Sequence, residues 1–441
     1  MYVCGMTPKF HPHIGHARMY VGADLIRRAL EHRGYRVHHV QNFTDIDDKI
    51  IVRGQQEGRA ADEVAREYTQ SYFDSMARIG VLPAHEYPKV TASMDDIIQS
   101  IEVLIDRKFA YEVDGDVYYD VSQFPDYGKL SGRTEESGMV GVRKELEPGK
   151  HDPRDFALWK SAKPGEPSWP SPWGQGRPGW HIECSAMVRH SLGDQIDIHA
   201  GGEDLIFPHH ENEIAQSEAL TGREPFAKYW AHIGLVSTGT EKMAHSLENF
   251  TTLKSMLDKY DPAAVRLYLM QSHYRAPMVF SEQGLMDAMR TLTTLRAAHG
   301  EGPNTTAGDS PRAAELLQRF DELLDDDFNT PGAIGVLFDT AHEVNRAQGA
   351  GPEGEALRAA FRSMIDVLGV PLVAHRTDAA ADAAPFIELL IETRAALRKE
   401  RQFALADQLR DRLRDLGVAL EDTADGTKWR LERGGPASPS S

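Results

Sequence analysis

The chain has 441 residues, a formal net charge of −18 at pH 7, 41% hydrophobic residues and 26% charged residues. This composition is typical of a soluble globular protein with several domains. No run approaches the roughly 20 apolar residues that cross a bilayer, and the start lacks the pattern of a signal peptide. We therefore expect a cytoplasmic protein with no membrane association. The acidic surplus excludes a protein that coats nucleic acid non-specifically.

The first fifty residues predict a strand over 2–5, a helix from about 16 to 32 and a second strand over 36–43. These elements form one βαβ unit with parallel, right-handed geometry, which is typical of nucleotide-binding sheets. The GxGxxG turn is absent after the first strand, and so is the P-loop pattern. Phosphates must therefore be held by other means.

The middle of the chain changes character twice. Apolar residues recur at helical spacing from 60 to 108. Residues 111–173 then combine short strand-like pieces with clusters of Pro, Gly and Trp, which indicates an inserted domain with long loops. Alternation resumes at 195–199, where we expect the chain to return to the parallel sheet.

The remainder of the chain is predicted to be helical. Asp261 followed by Pro262 is a helix-start signature, and helical spacing continues from there almost to the end. Stretches rich in Gly, Pro, Asp, Ala and Thr predict linkers at 301–311 and 373–385.

Two cysteines, Cys4 and Cys184, occur in the chain and lie far apart in sequence. Two thiols cannot build the disulfide framework of a small secreted protein, so we expect each to be free or bound to a metal. The run at 207–216 places His209 and Glu213 one helical turn apart. Two sulfurs, one imidazole and one carboxylate would suit Zn²⁺.

Each piece of this metal hypothesis also has an ordinary structural explanation. An isolated Cys is more often a small buried hydrophobe, and a His and a Glu four residues apart more often form an exposed helix pair or a cap. Spacing alone leaves both interpretations open.

Several longer strings of this sequence resemble those of the cysteinyl-tRNA synthetases, and they come in the order and with the spacing of that family. They are residues 1–5, 13–18, 41–49, 179–187 and 207–216. The resemblance implies a class I aminoacyl-tRNA synthetase that uses ATP with Mg²⁺, cysteine and tRNA(Cys). On that resemblance, one Zn²⁺ would be bound by Cys4, Cys184, His209 and Glu213, while Thr44 and Trp180 would line the cysteine pocket.

The implied ligand set fits selection of cysteine over serine. Zinc has room for a further partner, and a substrate thiol bound to it would ionise because the cation stabilises thiolate better than thiol. A serine hydroxyl is a much poorer ligand. Hydrophobic pockets separate near-isosteres by only about 1–3 kcal/mol, whereas the loss of a strong specific bond discriminates by roughly 10⁴ or more. We therefore expect no editing domain.

The sequence from His13 to His16 resembles the HIGH signature of class I synthetases. It is predicted to begin the first helix, so its backbone N–H groups and the positive end of the helix dipole would face the ATP phosphates. Gly15 would let a purine approach the backbone closely, and His13 and His16 would donate hydrogen bonds to phosphate oxygens. The alternative is a chance match of four letters.

The segment from Lys242 to Ser246 resembles the mobile KMSKS loop of the same class but departs from it, because Ala244 replaces a serine and His245 replaces the second lysine. We expect Lys242 and a partly protonated His245 to contact the phosphates. By resemblance, the adenosine would be contacted by Gly201, Gly202 and Asp204.

We predict an α/β fold with a Rossmann-like parallel-sheet catalytic domain, an insertion, an all-α bundle and a small C-terminal module. The predicted boundaries are 1–110 and 176–236 for the two halves of the catalytic domain, 111–175 for the insertion, 237–300 for a stem-contact region, 301–385 for the anticodon-side bundle, 386–433 for an anticodon-binding module and 434–441 for a disordered tail.

Contacts with tRNA are predicted near the end of the chain. By resemblance, 404–413 and 417–429 belong to the module that contacts the anticodon, where Arg410, Arg412, Lys428 and Trp429 would contact phosphates and stack on bases. By pattern alone, an amphipathic helix with a capping strand explains the same residues. The basic stretch 394–401 is a second candidate surface, and a solvated helix face explains it equally well.

Two alternatives to a tRNA ligase remain open at this point. One is a ligase that passes cysteinyl-adenylate to a small amine, as in mycothiol synthesis, although those relatives look shorter at the C-terminus. The other is a weakly active RNA-binding paralogue, which Ala244 and His245 would explain. In either case we expect a monomer.

Overall fold

The computed structural model describes residues 1–133, 149–237, 252–300, 310–347, 351–372, 379–399, 402–415, 418–423 and 426–431. The chain divides into two compact units, Met1–Leu372 and Val373–Ser441. Within the described ranges, no helix has both the length and the apolar character that a bilayer crossing requires.

The first unit opens with a strand–helix–strand unit and three further helices. These elements are β1 (Tyr2–Val3), α1 (Ile14–His32), β2 (Val40–Gln41), α2 (Asp48–Glu57), α3 (Ala61–Arg78) and α4 (Met94–Asp106). The predicted βαβ unit is confirmed, because β1 and β2 pair in parallel. The second strand is shorter than the predicted 36–43, since beyond β2 only Phe43 pairs again, in an isolated bridge with Lys89.

An antiparallel sheet follows, built from five strands in the order β3-β4-β5-β7-β6. The strands are β3 (Ala110–Val113), β4 (Asp116–Tyr119), β5 (Phe156–Ser161), β6 (Trp169–Ser171) and β7 (Gly174–Pro178). Hence the segment predicted as an insertion has a sheet of its own, separate from the parallel sheet.

The chain then returns to the parallel sheet through α5 (Trp180–Leu192), β8 (Ile196–Gly202), α6 (Glu211–Thr221), β9 (Ala227–Ile233) and the short β10 (Val236–Ser237). The sheet order is β2-β1-β8-β9, with every neighbouring pair parallel. The chain passes from β1 to β2 on one side of β1, whereas β8 pairs with β1 on the other side. The strand order therefore reverses at β1. Open parallel sheets bind ligands at the carboxyl ends of their strands at such a reversal.

Helix α6 is unusual because its polar sequence is buried. Glu211 accepts hydrogen bonds from Ser131 N at 2.8 Å and Leu130 N at 3.3 Å, and Glu218 accepts one from Phe226 N at 3.0 Å and pairs with Lys129. Buried carboxylates are tolerated when such partners replace water. These bonds fix the helix in position against the insertion.

The helical region of the first unit comprises α7 (Leu253–Lys259), α8 (Pro262–Met270), α9 (Glu282–His299), α10 (Pro311–Asp325), α11 (Thr330–Arg346) and α12 (Gly351–Leu368), with β11 (Met278–Val279) after α8. The predicted start of α8 is confirmed, since the Asp261 side chain accepts from Ala263 N at 3.0 Å. Strand β11 pairs in parallel with β10. The helical region is therefore joined to the edge of the catalytic body.

The second unit contains α13 (Ala379–Lys399), α14 (Phe403–Asp415) and a hairpin of β12 (Val418–Thr423) and β13 (Gly426–Leu431). The linker predicted over 373–385 is wrong from Ala379 onward, because α13 begins there. Trp429 packs against the small core of this unit, and Arg394 is buried at 2% exposure. Arg394 therefore does not belong to an exposed basic face.

A buried ion pair joins α1 to the helical region. Asp24 of α1 bonds Arg266 of α8 at 2.5 Å and Arg28 at 2.8 Å, and Arg266 also donates to the carbonyl of Leu368 at 2.7 Å. Burial alone would raise the pKa of Asp24, but the charges of the two arginines lower it. Helices α1, α8 and α12 thus meet at the ion pair of Asp24 and Arg266.

We predict that Arg266→Met destabilises the first unit by about 3–5 kcal/mol, because removal of one partner leaves a buried charge uncompensated. The midpoint of urea unfolding, followed by circular dichroism, measures the effect. Arg290→Met is the matched control, since Arg290 pairs with Asp287 on the surface, and it should cost at most about 0.5 kcal/mol. Equal midpoints for the two variants would contradict the prediction.

Candidate functional site

Four side chains predicted as zinc ligands lie together at the carboxyl end of β1. Cys4 follows β1, Cys184 lies in α5, His209 precedes α6, and Glu213 lies in its first turn. Their donor atoms are all within 4.8 Å of one another, and all four residues are buried. Residues distant in sequence therefore form a single donor cluster.

The distances within this cluster fit a tetrahedral ion. Glu213 Oε1 lies 3.0 Å from His209 Nε2 and 3.7 Å from Cys4 Sγ. Around a tetrahedral Zn²⁺, bonds of about 2.1 Å to oxygen and nitrogen and about 2.3 Å to sulfur place an oxygen roughly 3.4 Å from a nitrogen and roughly 3.6 Å from a sulfur. Two sulfurs, one nitrogen and one oxygen at this spacing suit zinc in both chemistry and size.

Further histidines surround the cluster, and sequence reasoning missed them. His199 Nε2 lies 2.9 Å from Glu213 Oε2, His181 Nδ1 lies 2.8 Å from His209 Nδ1, and His210 Nε2 lies 3.4 Å from Cys4 Sγ. Such partners fix the orientation of metal ligands. The spacing of His209 from Glu213 singles out His209 in the sequence, but nothing there indicates that His181, His199 and His210 lie beside the cluster.

The outer histidines allow a second grouping of donors. Cys4, His199, His210 and Glu213 also have donor atoms within 4.8 Å of one another. This group shares Cys4 and Glu213 with the first and replaces Cys184 and His209. The cluster with two sulfurs is the better match to zinc, because thiolate is the softer and preferred ligand.

The ionisation of the cluster follows from burial and close contacts. Burial raises the pKa of Cys4 well above its ordinary value, whereas the hydrogen bond from Cys4 lowers the pKa of Cys184 to about 6 against the effect of burial. Burial opposes protonation of His209, but the charges of Glu213 and Cys184 raise its pKa to about 10. A bound cation would replace these protons, since metal ligands bind deprotonated.

The predicted cysteine-pocket residues lie beside the donor cluster. The Trp180 ring stacks on the ring of His209, with centroids 4.2 Å apart, and is 38% exposed. Thr44 follows β2 and is buried. Glu183 lies between Trp180 and Cys184 in the sequence. Burial raises the pKa of Glu183 well above its ordinary value, and a hydrogen bond from Thr44 opposes this rise.

The two histidines of the HIGH-like string form a reciprocal cap on α1. His13 Nδ1 accepts from Gly15 N at 3.1 Å, and His16 Nδ1 accepts from His13 N at 3.2 Å. An acceptor nitrogen carries no proton, so each neutral ring has its hydrogen on Nε2. The cap therefore fixes both imidazoles as Nε2–H donors.

A cavity of about 430 Å³ joins Cys4 of the donor cluster to several of the predicted nucleotide residues. It is lined by Cys4, Gly5, Met6, His13, Gly15, His16, Met19, Tyr20, Gly202, Asp204, Leu205, Ile233, Gly234, Leu235 and Val236. Gly201 lies at the end of β8, where a Cβ atom would come within 2.7 Å of His210. Lys242 and His245 lie outside the described residues, in the segment that follows β10.

Comparison with known proteins identifies the family. The model of the class I (C) tRNA synthetase catalytic domain matches residues 1–290, a DALR domain matches 319–373, and the cysteinyl-tRNA ligase anticodon-binding domain matches 380–430. A cysteine–tRNA ligase from Dehalococcoides mccartyi is 48% identical over 98% of this chain and 95% of the relative. One from Thermococcus onnurineus is 46% identical over 98% and 94%.

Solved structures support the fold. Mycobacterium tuberculosis methionyl-tRNA synthetase with methionyl-adenylate has a TM-score of 0.58 at 15% identity, over 88% of this chain and 93% of that one. An Agrobacterium radiobacter LeuRS–tRNA–LeuAMS complex has a TM-score of 0.59 at 12% identity, over 86% and 84%. The parallel sheet, the HIGH-like cap and these similarities define a class I aminoacyl-tRNA synthetase. Within that class, the chain belongs to the cysteinyl-tRNA synthetase family.

We predict that Gly15→Ala lowers the rate of ATP–pyrophosphate exchange by at least about 10-fold. The new Cβ would lie 2.9 Å from His13 Cε1 and displace the ring that caps α1. Such a cap contributes about 1 kcal/mol, so the fold should survive. Gly335→Ala in α11 is the matched control, because its Cβ would meet nothing within 4 Å. Unchanged exchange in Gly15→Ala would rule out this role for the cap.

Proposed function

We propose that the protein is a cysteine–tRNA ligase that activates cysteine with ATP to cysteinyl-adenylate and transfers the cysteine to the 3′ end of tRNA(Cys). The observation that carries this proposal is the buried cluster of Cys4, Cys184, His209 and Glu213 beside the cavity that the HIGH-like residues line. The anticodon-binding domain matched at 380–430 supports tRNA as the acceptor. Neither an amino-sugar acceptor nor a weakly active RNA-binding paralogue receives comparable support.

The four clustered residues would hold one Zn²⁺, which when bound would stabilise the thiolate form of the substrate cysteine. His199 and His181 would keep Glu213 and His209 in the orientation that this ion needs, because each contacts the ligand on the side away from its partner in the cluster. Serine would be rejected because its hydroxyl is a poor ligand for such an ion.

Activation would depend on position and charge. The carboxylate of cysteine attacks the α-phosphate without a general base, so the protein must align the two groups and stabilise the charge that develops. The Nε2–H groups of His13 and His16 are proposed to donate to phosphate oxygens, together with the N-terminus of α1 and the Mg²⁺ that accompanies ATP. Lys242 and His245 are proposed to contact the departing pyrophosphate.

The remaining site residues would hold the substrates. Thr44 and Trp180 are proposed to border bound cysteine, because the partly exposed ring of Trp180 stacks on the buried His209. Gly202 and Asp204 line the cavity, and with Gly201 they are proposed to contact the adenosine. A Cβ atom on Gly202 would lie 2.6 Å from Asp204 Oδ1, so a larger residue there would displace the Asp204 carboxylate.

We predict that Glu213→Ala lowers zinc content and cysteine activation together, because the variant loses a charged ligand. His199→Ala is the graded comparison, since loss of a partner that orients a ligand typically costs about 10–100-fold in metal affinity. Metal analysis of the purified protein and cysteine-dependent ATP–pyrophosphate exchange measure the two effects. A Glu213→Ala variant that retains its metal and full cysteine affinity would contradict the proposed site.

A second prediction concerns His245. An imidazole with an ordinary pKa of about 6.5 loses its positive charge as the pH rises from 6 to 8, whereas a lysine with a pKa of about 10.4 keeps it. The ratio of the rate of adenylate formation in His245→Lys to the rate in the unmodified protein should therefore rise as the pH rises from 6 to 8. Identical rates and pH dependence in the two proteins would show that His245 has no phosphate role.

A further inference from the structure

The turn at 273–276, between α8 and β11, packs directly against one wall of the cavity. That wall is the segment 233–236, between the end of β9 and the start of β10. Gly234 N donates to the carbonyl of Tyr274 at 2.8 Å, and a Cβ atom on Gly234 would lie 2.2 Å from the carbonyl oxygen of Ala276. Only glycine permits so close an approach of two backbones. The position of the turn therefore determines the position of the wall.

Arg18 of α1 holds this turn from the side of the HIGH-like cap. The arginine is buried, and its guanidinium donates to the carbonyls of Ser272 at 3.0 Å, His273 at 2.7 Å and Ala276 at 3.2 Å. A guanidinium presents its donors in a rigid plane, so several carbonyls bound to one arginine have a fixed arrangement. One side of the turn is thus fixed relative to α1.

Asp327, in the link between α10 and α11, holds the same turn from the helical region. Its carboxylate accepts two hydrogen bonds from Arg275, from Nε at 2.6 Å and from Nη2 at 3.0 Å, and a third from the Tyr274 hydroxyl at 2.8 Å. Its carbonyl accepts from His273 Nε2 at 2.8 Å. Three consecutive side chains of the turn therefore bind one residue of the helical region.

The backbone at Asp327 has a conformation that favours glycine. Its φ is 50° and that of Phe328 is 57°, both in the left-handed region. This conformation ends α10, because Phe328 N then donates to the carbonyl of Leu324 and Asn329 N to that of Leu323, each at 3.0 Å. Glycine or asparagine is the usual residue at such a helix end. The helix end alone does not explain a carboxylate at this position, whereas the contacts with the turn do.

The contact between Asp327 and Arg275 is suited to positioning more than to stability. The two side chains are 43% and 50% exposed, and exposed ion pairs contribute little to the free energy of unfolding. A two-bond fork between a guanidinium and a carboxylate nevertheless fixes the relative orientation of the two groups. Loss of the carboxylate should therefore release the turn without unfolding the protein.

We propose that Asp327 is a positioning residue for ATP, which acts through the turn at 273–276 on the cavity wall at 233–236. This inference rests on the proposed function, which places ATP in the cavity beside the HIGH-like residues. Asp327 does not itself line the cavity. Its loss would let the wall shift against the nucleotide, whereas the donor cluster for cysteine is built on β1, α5 and α6.

The test uses the full-length protein with three single substitutions. Asp327→Asn keeps the size of the side chain and tolerates the left-handed conformation, but it removes the charge that binds Arg275. Asp327→Gly keeps the backbone conformation and removes the whole side chain. Asp325→Asn is the matched control, because Asp325 pairs with Arg33 of α1 at the surface.

Equilibrium dialysis with ATP alone measures its Kd, and ATP–pyrophosphate exchange measures the two KM values and kcat. Both Asp327 variants should raise the Kd and the KM for ATP by about 3-fold or more, because residues that act on a ligand through a packed network typically change its binding by a factor of about 2–30. The KM for cysteine, kcat and the melting temperature should remain close to those of the control Asp325→Asn.

A double-mutant cycle tests the route through the turn. Arg275→Gln removes the donor of the fork, so it should also weaken the binding of ATP. A variant with both Asp327→Asn and Arg275→Gln should bind ATP about as weakly as Asp327→Asn alone, because the effects of two residues in contact do not add. Losses that multiply in this variant would overturn the inference.

An unchanged Kd for ATP in both Asp327 variants would also overturn the inference. So would equal rises in the KM for ATP and for cysteine together with a lower melting temperature, since these would indicate a general loss of structure. Failure of the proposed function is distinguishable from both outcomes. If the unmodified protein does not charge tRNA with cysteine, that function fails, while dialysis with ATP still tests Asp327.

Discussion

The carboxylate of Glu213 is the contact on which the rest of the site depends. It is fully buried. One of its oxygens contacts His199 and the other contacts His209, and the thiol of Cys4 lies close to the oxygen that contacts His209. Burial alone would raise the pKa of Glu213, but the charges of both histidines lower it well below its ordinary value. A charged carboxylate in the core is a costly feature that only such partners, or a cation, can stabilise. Its position therefore determines where a metal would bind.

The fold brings these partners together through the parallel sheet. In the register of β1 against β8, Tyr2 lies opposite His199. Cys4 comes two residues later, just beyond the end of β1 and level with the glycines that end β8. Helix α6 reaches the same edge because the insertion satisfies its buried carboxylates. The reversal of strand order at β1 then leaves the cavity between the donor cluster and the start of α1. The proposed sites for selection of the amino acid and for binding of ATP thus share one edge of one sheet.

The fold class could be predicted from the sequence because alternating strands and helices are a local signal. The set of four donor residues is predicted only through the family resemblance, since residue types and spacing alone leave an ordinary structural explanation open. The surrounding histidines could not be predicted. His199 has the pattern of an ordinary strand residue, and only the strand register and the approach of α6 place it against Glu213. The burial of Arg394 and the short length of the second strand could not be predicted for the same reason, because burial and strand length depend on neighbours distant in sequence. The cap made by His13 and His16 also became visible only in three dimensions.

The Asp24–Arg266 pair and the Glu213 cluster both hold a buried carboxylate by pairing its charge, but the groups that pair with it differ. In the pair between Asp24 and Arg266, the arginine donates to a carboxylate and to backbone carbonyls, so the charge of Asp24 is compensated within the chain and the contact joins α1 to its neighbours. The Glu213 cluster is compensated by groups that exchange protons, two thiols and several imidazoles, and these are the groups that a metal can replace. In this chain, a buried charge that is already paired within the protein therefore serves the structure, whereas one that is less completely paired is available for function.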